Sequence, residues 1–305
     1  MVDICENELW KIINRELVGG FTENDLKSFR HPKCAFNARI ATWGPYDNTY
    51  RYFKTLLFNS ALRMPKEFFA LYKMVPNTDI GNPLFVTVSG LKINIEYLFS
   101  IEEILFLGSI MSQIETCVEI GGGYGRLCHA VIALFPNISK YTMIDLEPMQ
   151  KVSKMYLKKA LSNDQFKKIN FVKVNELDQL GCFDLAININ SFAEIKKEYV
   201  KKYLDVINEK SSFFYSRNTV GKYSPGDIGL FEYDKKQVKS ALKSGMCQDK
   251  VDIFDEDALI SARDNYLRSY LPGKKWTIFK DEISYPYTYY HHVLYSIEGL
   301  TLKSQ

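Results

Sequence analysis

Glycines at 121, 123 and 125, a carboxylate at 145 and a histidine pair at 291 and 292 are the residues of this chain whose spacing suits chemistry. Cys117, Val118 and Ile120 make a short apolar run around Glu119, and Leu127, Ala130, Val131 and Leu134 then recur at helical spacing until Pro136. The glycines, with Tyr124 among them, therefore occupy a strand-to-helix turn. Lacking Cβ atoms, they permit positive φ and let a ligand touch the backbone, while the unpaired N–H groups of the helix start face that ligand. The turn reads as a site for a small polar cofactor of nucleotide type.

Spacing narrows the cofactor. The dinucleotide fingerprint G-x-G-x-x-G wants glycine or alanine at its last position, but counted from Gly121 that position is Arg126, which disfavours NAD and FAD. Tyr141-Thr142-Met143-Ile144-Asp145 is a second apolar strand, ending in an acid twenty residues after Gly125. A carboxylate placed there can accept both hydroxyls of a ribose. Because the same acid also serves NAD, an oxidoreductase stays among the readings.

A hydroxyl nucleophile needs a base, and the chain has four histidines. Ligands of an open α/β sheet bind beyond the carboxyl ends of its parallel strands, and an antiparallel last strand starts on that edge. His291 and His292 open the last apolar run, so they fall on the cleft side, with side chains in opposite layers and only one of them able to serve. Glu194, just past the fourth strand, is the rival base. Asn188, Asn190 and Ser191 carry groups suited to hydroxyls or to the polar end of a cofactor, and Tyr124 and Phe192 offer aromatic faces to a cation. His129, on the helix after the glycine turn, reads as structural, and His31 has no placement. No His, Asp or Glu cluster has metal-ligand spacing. A divalent cation therefore stays open, with Asp184, Glu194, Asp227 and His291 able to converge only in three dimensions.

The elements that must hold these groups alternate. After the second strand come a helix over 148–161, a strand over 169–174, a strand over 183–189, a helix over 198–210 and a strand over 212–216, which implies right-handed βαβ crossovers and a parallel sheet covered on both faces. A stretch over 217–275, with Pro225-Gly226-Asp227 and a helix over 255–270, reads as an insertion. Strands over 276–279 and 291–297 follow, joined by an aromatic turn. The core domain is expected over 100–305. Helices over 9–17, 50–64 and 65–74 make residues 1–99 an N-terminal helical cap, which serves either the substrate side of the cleft or packing alone.

Composition sets outer limits. The 305 residues, 46% of them hydrophobic, suffice for a large α/β domain with additions. No apolar run approaches the roughly twenty residues that span a bilayer, and the N-terminus lacks a basic segment followed by an apolar one, so the expected location is the cytoplasm. Six cysteines without C-x-x-C pairing look like reduced thiols, with Cys117, Cys128 and Cys182 in apolar surroundings. A net charge of +3, with lysines scattered among acids, argues against a nucleic-acid partner.

Several strings together resemble a known family. They are Glu119-Ile120-Gly121-Gly122-Gly123-Tyr124-Gly125-Arg126, Tyr141 to Met149 through Asp145-Leu146, Tyr156-Leu157, Asn188-Ile189-Asn190-Ser191-Phe192-Ala193-Glu194 and Phe214-Tyr215-Ser216-Arg217-Asn218. The glycines behind Glu119 resemble motif I of class I S-adenosylmethionine (SAM) methyltransferases, and the whole set resembles the sugar O-methyltransferases of bacterial surface-polysaccharide clusters. The resemblance is good over about 81–218 and looser beyond. It implies a Rossmann-like domain with a seven-stranded, mostly parallel sheet and an antiparallel last strand. It also implies methyl transfer from SAM to a sugar hydroxyl of a capsule or lipopolysaccharide precursor, such as a sugar nucleotide or glycan. The expected SAM contacts are Glu119, Gly121, Gly123, Tyr124, Gly125, Asp145, Leu146, Asn188 and Asn190, and the expected acceptor contacts are Ser191, Phe192, Arg217, Asn218 and Asp227. Another small acceptor (a phosphoramidate, lipid or antibiotic), a non-catalytic SAM-binding partner protein and a homo-oligomer all remain compatible with these residues.

Overall fold

Apolar runs separated by amphipathic helices close into one sheet. The computed structural model describes residues 12, 15–16, 18–27, 34, 48–223 and 235–300. Its strands are β1 (Phe85–Val88), β2 (Leu91–Asn94), β3 (Thr116–Ile120), β4 (Lys140–Asp145), β5 (Ile169–Lys173), β6 (Phe183–Ile189), β7 (Ser211–Thr219), β8 (Trp276–Ile283) and β9 (Tyr290–Ile297). β1 and β2 form a hairpin, and the other seven make a sheet in the order β5-β4-β3-β6-β7-β9-β8. Strands β3 to β7 pair in parallel, whereas β9 runs antiparallel to both its neighbours. The fold is thus mixed α/β and Rossmann-like, with the expected antiparallel last strand.

Order decides where a ligand can go. From β3 the chain steps outward to β4 and β5, then returns to β6 on the other side of β3. Such a reversal opens a crevice beyond the carboxyl ends of the strands at the switch. Gly121 follows β3, Leu146 follows β4 and Asn190 follows β6, so the glycine turn stands over that crevice.

Among the described helices, α1 (Thr49–Leu62), α2 (Lys66–Met74), α3 (Ile95–Leu107), α4 (Arg126–Leu134), α5 (Glu147–Ala160), α6 (Lys197–Lys210), α7 (Lys235–Leu242) and α8 (Glu256–Ser269) bear on the account. Val200, Leu204 and Ile207 of α6 and Tyr266 and Leu267 of α8 bury against Val118, Ala186, Phe214 and Val293 of the sheet. α3 covers the other face, where Phe106 packs on the Tyr215 ring of β7 at 5.6 Å. The Asn94 side chain caps α3 by accepting the Tyr97 N–H at 2.9 Å. Pro148 opens α5, where its missing N–H costs nothing.

The structure departs from the sequence reading in several places. The chain divides into two compact units between Asn59 and Ser60. Ser89 and Gly90 both have positive φ, as a two-residue hairpin turn requires. β7 extends to Thr219 and β8 to Ile283. The Tyr266 hydroxyl of α8 meets Ser216 Oγ, the Asn218 N–H and the His291 carbonyl at 3.0–3.1 Å, fastening the helix to β7 and β9. Cys117 and Cys128 are buried as expected, but Cys182 is exposed. The expected 9–17 helix falls largely outside the described residues. No helix among the described residues is long and apolar enough to cross a membrane.

Candidate functional site

The glycine turn has the backbone that only glycine adopts cheaply. Gly121, Gly123 and Gly125 have φ of 73°, 56° and 96°, in the region that L side chains avoid. The turn is pinned on one side and open on the other. A Cβ on Gly121 would lie 2.2 Å from Ser191 Oγ and one on Gly125 2.8 Å from Leu157 Cδ1, whereas one on Gly123 would meet nothing within 4 Å. Gly123 therefore presents bare backbone to free space.

Asp145 stands beside that opening. One carboxylate oxygen accepts the Gly123 N–H at 3.0 Å and the other the Leu146 N–H at 2.7 Å. A carboxylate offers about four lone-pair directions, so each oxygen keeps capacity for a ligand hydroxyl, and the residue is only half-buried. Leu146 is exposed next to it. Glu119, in contrast, is buried inside the strand and accepts the Tyr141 hydroxyl at 2.9 Å. Burial pushes its carboxyl up to about 7, against the Tyr141 hydrogen bond and the charge of Arg126. These features fit a nucleoside cofactor: an open backbone concavity with a ribose-type acceptor at its rim. Tyr124 is half-buried and meets the Tyr156 ring edge-on at 4.8 Å. Behind it the hydroxyls of Tyr97 and Tyr156 and His129 Nδ1 form a hydrogen-bonded row, and burial draws His129 down to about 4.

Past β6, much of the expected contact set turns inward. Asn188 Nδ2 donates to Ile120 O at 3.0 Å and to Ser191 Oγ at 2.6 Å, while its Oδ1 accepts from Asn218 Nδ2 at 2.8 Å. Ser191 Oγ in turn donates to Ile120 O at 3.1 Å. This lock holds the end of β6 against the glycine turn, with Asn188 and Asn218 fully buried and Ser191 half-buried. Phe192 is 0% exposed and stacks on Tyr270 at 6.1 Å, which removes it from any cation site. Asn190 differs from all of these. It holds a φ of 64°, and its Oδ1 is buried without a hydrogen-bond partner.

Asn190 opens a cavity of about 720 Å³ that runs past the ends of β6, β7 and β9, lined also by Ala193, Glu194, Thr219, Lys222, Tyr223, Tyr290 and one face of α7. Of the candidate bases only Glu194 lines it. Lys222 Nζ donates to Ala193 O at 2.6 Å, and burial draws the ammonium below the ordinary lysine value, with Glu194 acting in the other direction. Tyr290 is pushed up to about 12, chiefly by burial. Lys222, Tyr223 and Tyr290 were not singled out by spacing. Their signal is position alone, three or four residues beyond the carboxyl end of β7 or at the start of β9.

The histidine pair lies at the expected edge and in opposite layers, but neither member reaches the cavity. His291 Nε2 meets Asp281 Oδ2 at 2.7 Å, and Arg263 binds the same oxygen at 2.7 and 2.9 Å. Burial lowers His291, outweighing Asp281. Burial alone would raise Asp281, but its bonds to His291 and Arg263 hold it below the ordinary carboxylate range. The pair is therefore a neutral imidazole donating to a carboxylate. His292 is 1% exposed, shares a hydrogen bond between Nδ1 and the Tyr215 hydroxyl at 2.7 Å, and lies 3.6 Å from Glu102 through Nε2. Arg217, also 1% exposed, is sandwiched at 4.8 Å between the rings of Phe99 and Tyr290. Its Nε donates to Ser284 Oγ at 2.9 Å, and Nη1 stands 3.8 Å from Glu103. Glu103, 0% exposed, is gripped from the other side by both Arg126 nitrogens at 2.7 Å.

Two further expectations receive a structural answer. Asp184 sits at the amino end of β6, where its Oδ2 accepts from the Glu115 and Thr116 backbone and the Thr116 hydroxyl at 2.8–2.9 Å, far from Glu194 and His291 beyond the other end. The proposed metal convergence is thus not formed, and no group of three or more His, Cys, Asp or Glu among the described residues is placed to hold a metal ion. Asp227 lies outside the described residues.

No family model matches the chain. No curated protein matches it either. Solved structures do. The chain is similar to the methyltransferase domain of bacterial CtHen1, at 12% identity and a TM-score of 0.45, over 65% of this chain and 97% of that one. It is similar to the mitomycin 7-O-methyltransferase MmcR, at 12% identity and a TM-score of 0.41, over 96% of this chain and 76% of that one. A third, PigF with SAH, is 14% identical with a TM-score of 0.40, over 84% of this chain and 74% of that one. At such values these likenesses bring no chemistry to the chain.

Proposed function

We propose that this chain is a SAM-dependent O-methyltransferase acting in the cytosol on a hydroxyl of a sugar in a bacterial surface-polysaccharide precursor. One observation carries the reading: the open backbone at Gly123 with Asp145 at its rim lies on the same carboxyl edge as the cavity that begins at Asn190. The motif resemblance supports the sugar.

Bound SAM supplies an electrophilic methyl on a sulfonium, open to in-line attack by oxygen. The chain's part is to hold the reactants and take a proton. Orientation of this kind is worth roughly 7–11 kcal/mol of a barrier. Asp145 clasps ribose hydroxyls, and the lock of Asn188 and Ser191 keeps the turn and the cavity in fixed relation. Tyr223 and Tyr290 line the cavity as aromatic walls for a sugar, and Asn190 adds an unpaired amide oxygen. Glu194 accepts the hydroxyl proton. It is the one candidate base lining the cavity, while His291 is bound through Nε2 to Asp281 and His292 is buried against Tyr215.

The test is chemical analysis of surface polysaccharide from a strain carrying Glu194→Gln in place of the natural residue, beside a deletion strain. Loss of one methyl ether in the deletion, and a fall of about 10²–10⁴ in kcat for the purified variant, is the expected result for a general base. An unchanged set of methyl ethers in the deletion strain refutes the sugar assignment.

A further inference from the structure

Resting on the acceptor reading of the cavity, we infer that the acceptor carries an oxyanion, a phosphate or a carboxylate, and that Lys222 receives it. Lys222 is held firmly. Its N–H donates to Asp249 O at 2.8 Å and its carbonyl accepts from Val251 N at 2.7 Å. A Cβ on neighbouring Gly221 would lie 2.4 Å from Val251 Cγ2, so this backbone is packed on both sides. The side chain then reaches into the cavity wall and donates once, to Ala193 O at 2.6 Å.

An ammonium has three donors. No carboxylate among the described residues stands within ion-pair distance of this one: Glu194, on the same wall, is close enough to favour the charge and too far to neutralise it. A half-buried cation with unspent donors is costly unless an anion joins it. The cavity of about 720 Å³ gives that anion room, and a lysine serves phosphate well as a point charge.

A second observation points the same way. Asn190, which also lines the cavity, keeps a buried and unpaired Oδ1 on a left-handed backbone. Orphaned polar atoms and backbone strain of this kind gather at ligand sites. Its oxygen suits a hydroxyl donor, so the cavity wall around Ala193, which bonds both Asn190 O and Lys222 Nζ, offers a hydroxyl receptor beside an anion receptor. The segments around it expose Lys196, Lys197, Lys239 and Lys243 against Glu194 and Glu198, a local excess that raises the encounter rate of anions.

Titration of the full-length protein with glucose 1-phosphate, glucuronate and glucose, each in the presence of S-adenosylhomocysteine, tests the inference. At least one charged sugar is expected to bind tenfold or more tightly than glucose, and the two charged probes tell phosphate from carboxylate. Lys222→Gln should erase that preference and Lys222→Arg should keep it, with S-adenosylhomocysteine affinity changed less than twofold by either. Equal binding of charged and neutral sugars, binding of neither charged sugar, or a preference that survives Lys222→Gln overturns the inference. Loss of S-adenosylhomocysteine binding by the natural protein is a separate result that strikes the cofactor reading alone.

Discussion

Along one carboxyl edge, the β3–β4 end and the β7–β9 end of the sheet dispose of polar groups in opposite ways. At the first, Asp145 is half-buried with lone pairs to spare and Gly123 faces space. At the second, His291, His292, Arg217 and Glu103 are all nearly sealed and bound to one another or to neighbours. The difference lies in what covers each end. α3 and α8 close over β7 and β9 from the two faces, whereas the glycine turn is itself the cover of β3. A polar group left open can meet a ligand, while one sealed with partners holds layers together.

The largest break in this contrast comes from Glu103, the acid shared by Arg126 and Arg217. Glu103→Gln strips the counter-charge from two buried or partly buried guanidiniums and should cost about 3–5 kcal/mol in urea unfolding. A loss below about 1 kcal/mol would show that the sealed end is not structural.

The next effect is a pH dependence. Because Glu119 stands at about 7 in the fold against an ordinary 4.5, the folded protein keeps a proton that the unfolded chain has released between those values. The carboxyl's contribution is whole below about pH 4.5 and is lost as pH rises through about 7. Glu119→Gln should therefore match the natural protein near pH 4.5 and surpass it by about 3 kcal/mol above pH 8. Thermal unfolding of both proteins across that range reads the difference, and parallel curves would refute it.

A smaller pair sharpens the open end. Gly121→Ala and Gly123→Ala share the cost of positive φ, but only the first meets Ser191, so it should be less stable by about 1–3 kcal/mol more. The second should lose only the positive-φ cost, about 1–2 kcal/mol, and block the ligand. Smallest is the effect of the histidines on turnover. His291→Gln and His292→Gln should lower stability by about 1–3 kcal/mol through lost buried hydrogen bonds while kcat stays within about threefold; a hundredfold loss in either would return that histidine to catalysis.

The same contrast explains what the sequence could show. The sheet was legible because β3, β4 and β6 are apolar runs bounded by turn residues, and the glycine turn and Asp145 because local backbone chemistry demands those residue types. The edge position and opposite layers of His291 and His292 followed from strand geometry. Their burial did not, since it depends on Phe106 and Glu102 of α3 and on Tyr266 of α8, residues distant in sequence. α3 itself escaped because it is buried at most positions, which blurs helical periodicity. The inward lock of Asn188, Ser191 and Asn218 was invisible because an amide suited to a ligand is equally suited to a neighbouring strand. Lys222 was missed for a related reason, as nothing local marks a lysine whose counter-charge is absent.

Calorimetric titration of S-adenosylhomocysteine into the natural protein and into Asp145→Ala asks whether the glycine turn and its carboxylate hold a nucleoside. A one-to-one complex with the natural protein is expected, weakened at least tenfold, or about 1.4 kcal/mol, by the substitution. No binding to the natural protein, or equal affinity for the two, would contradict it.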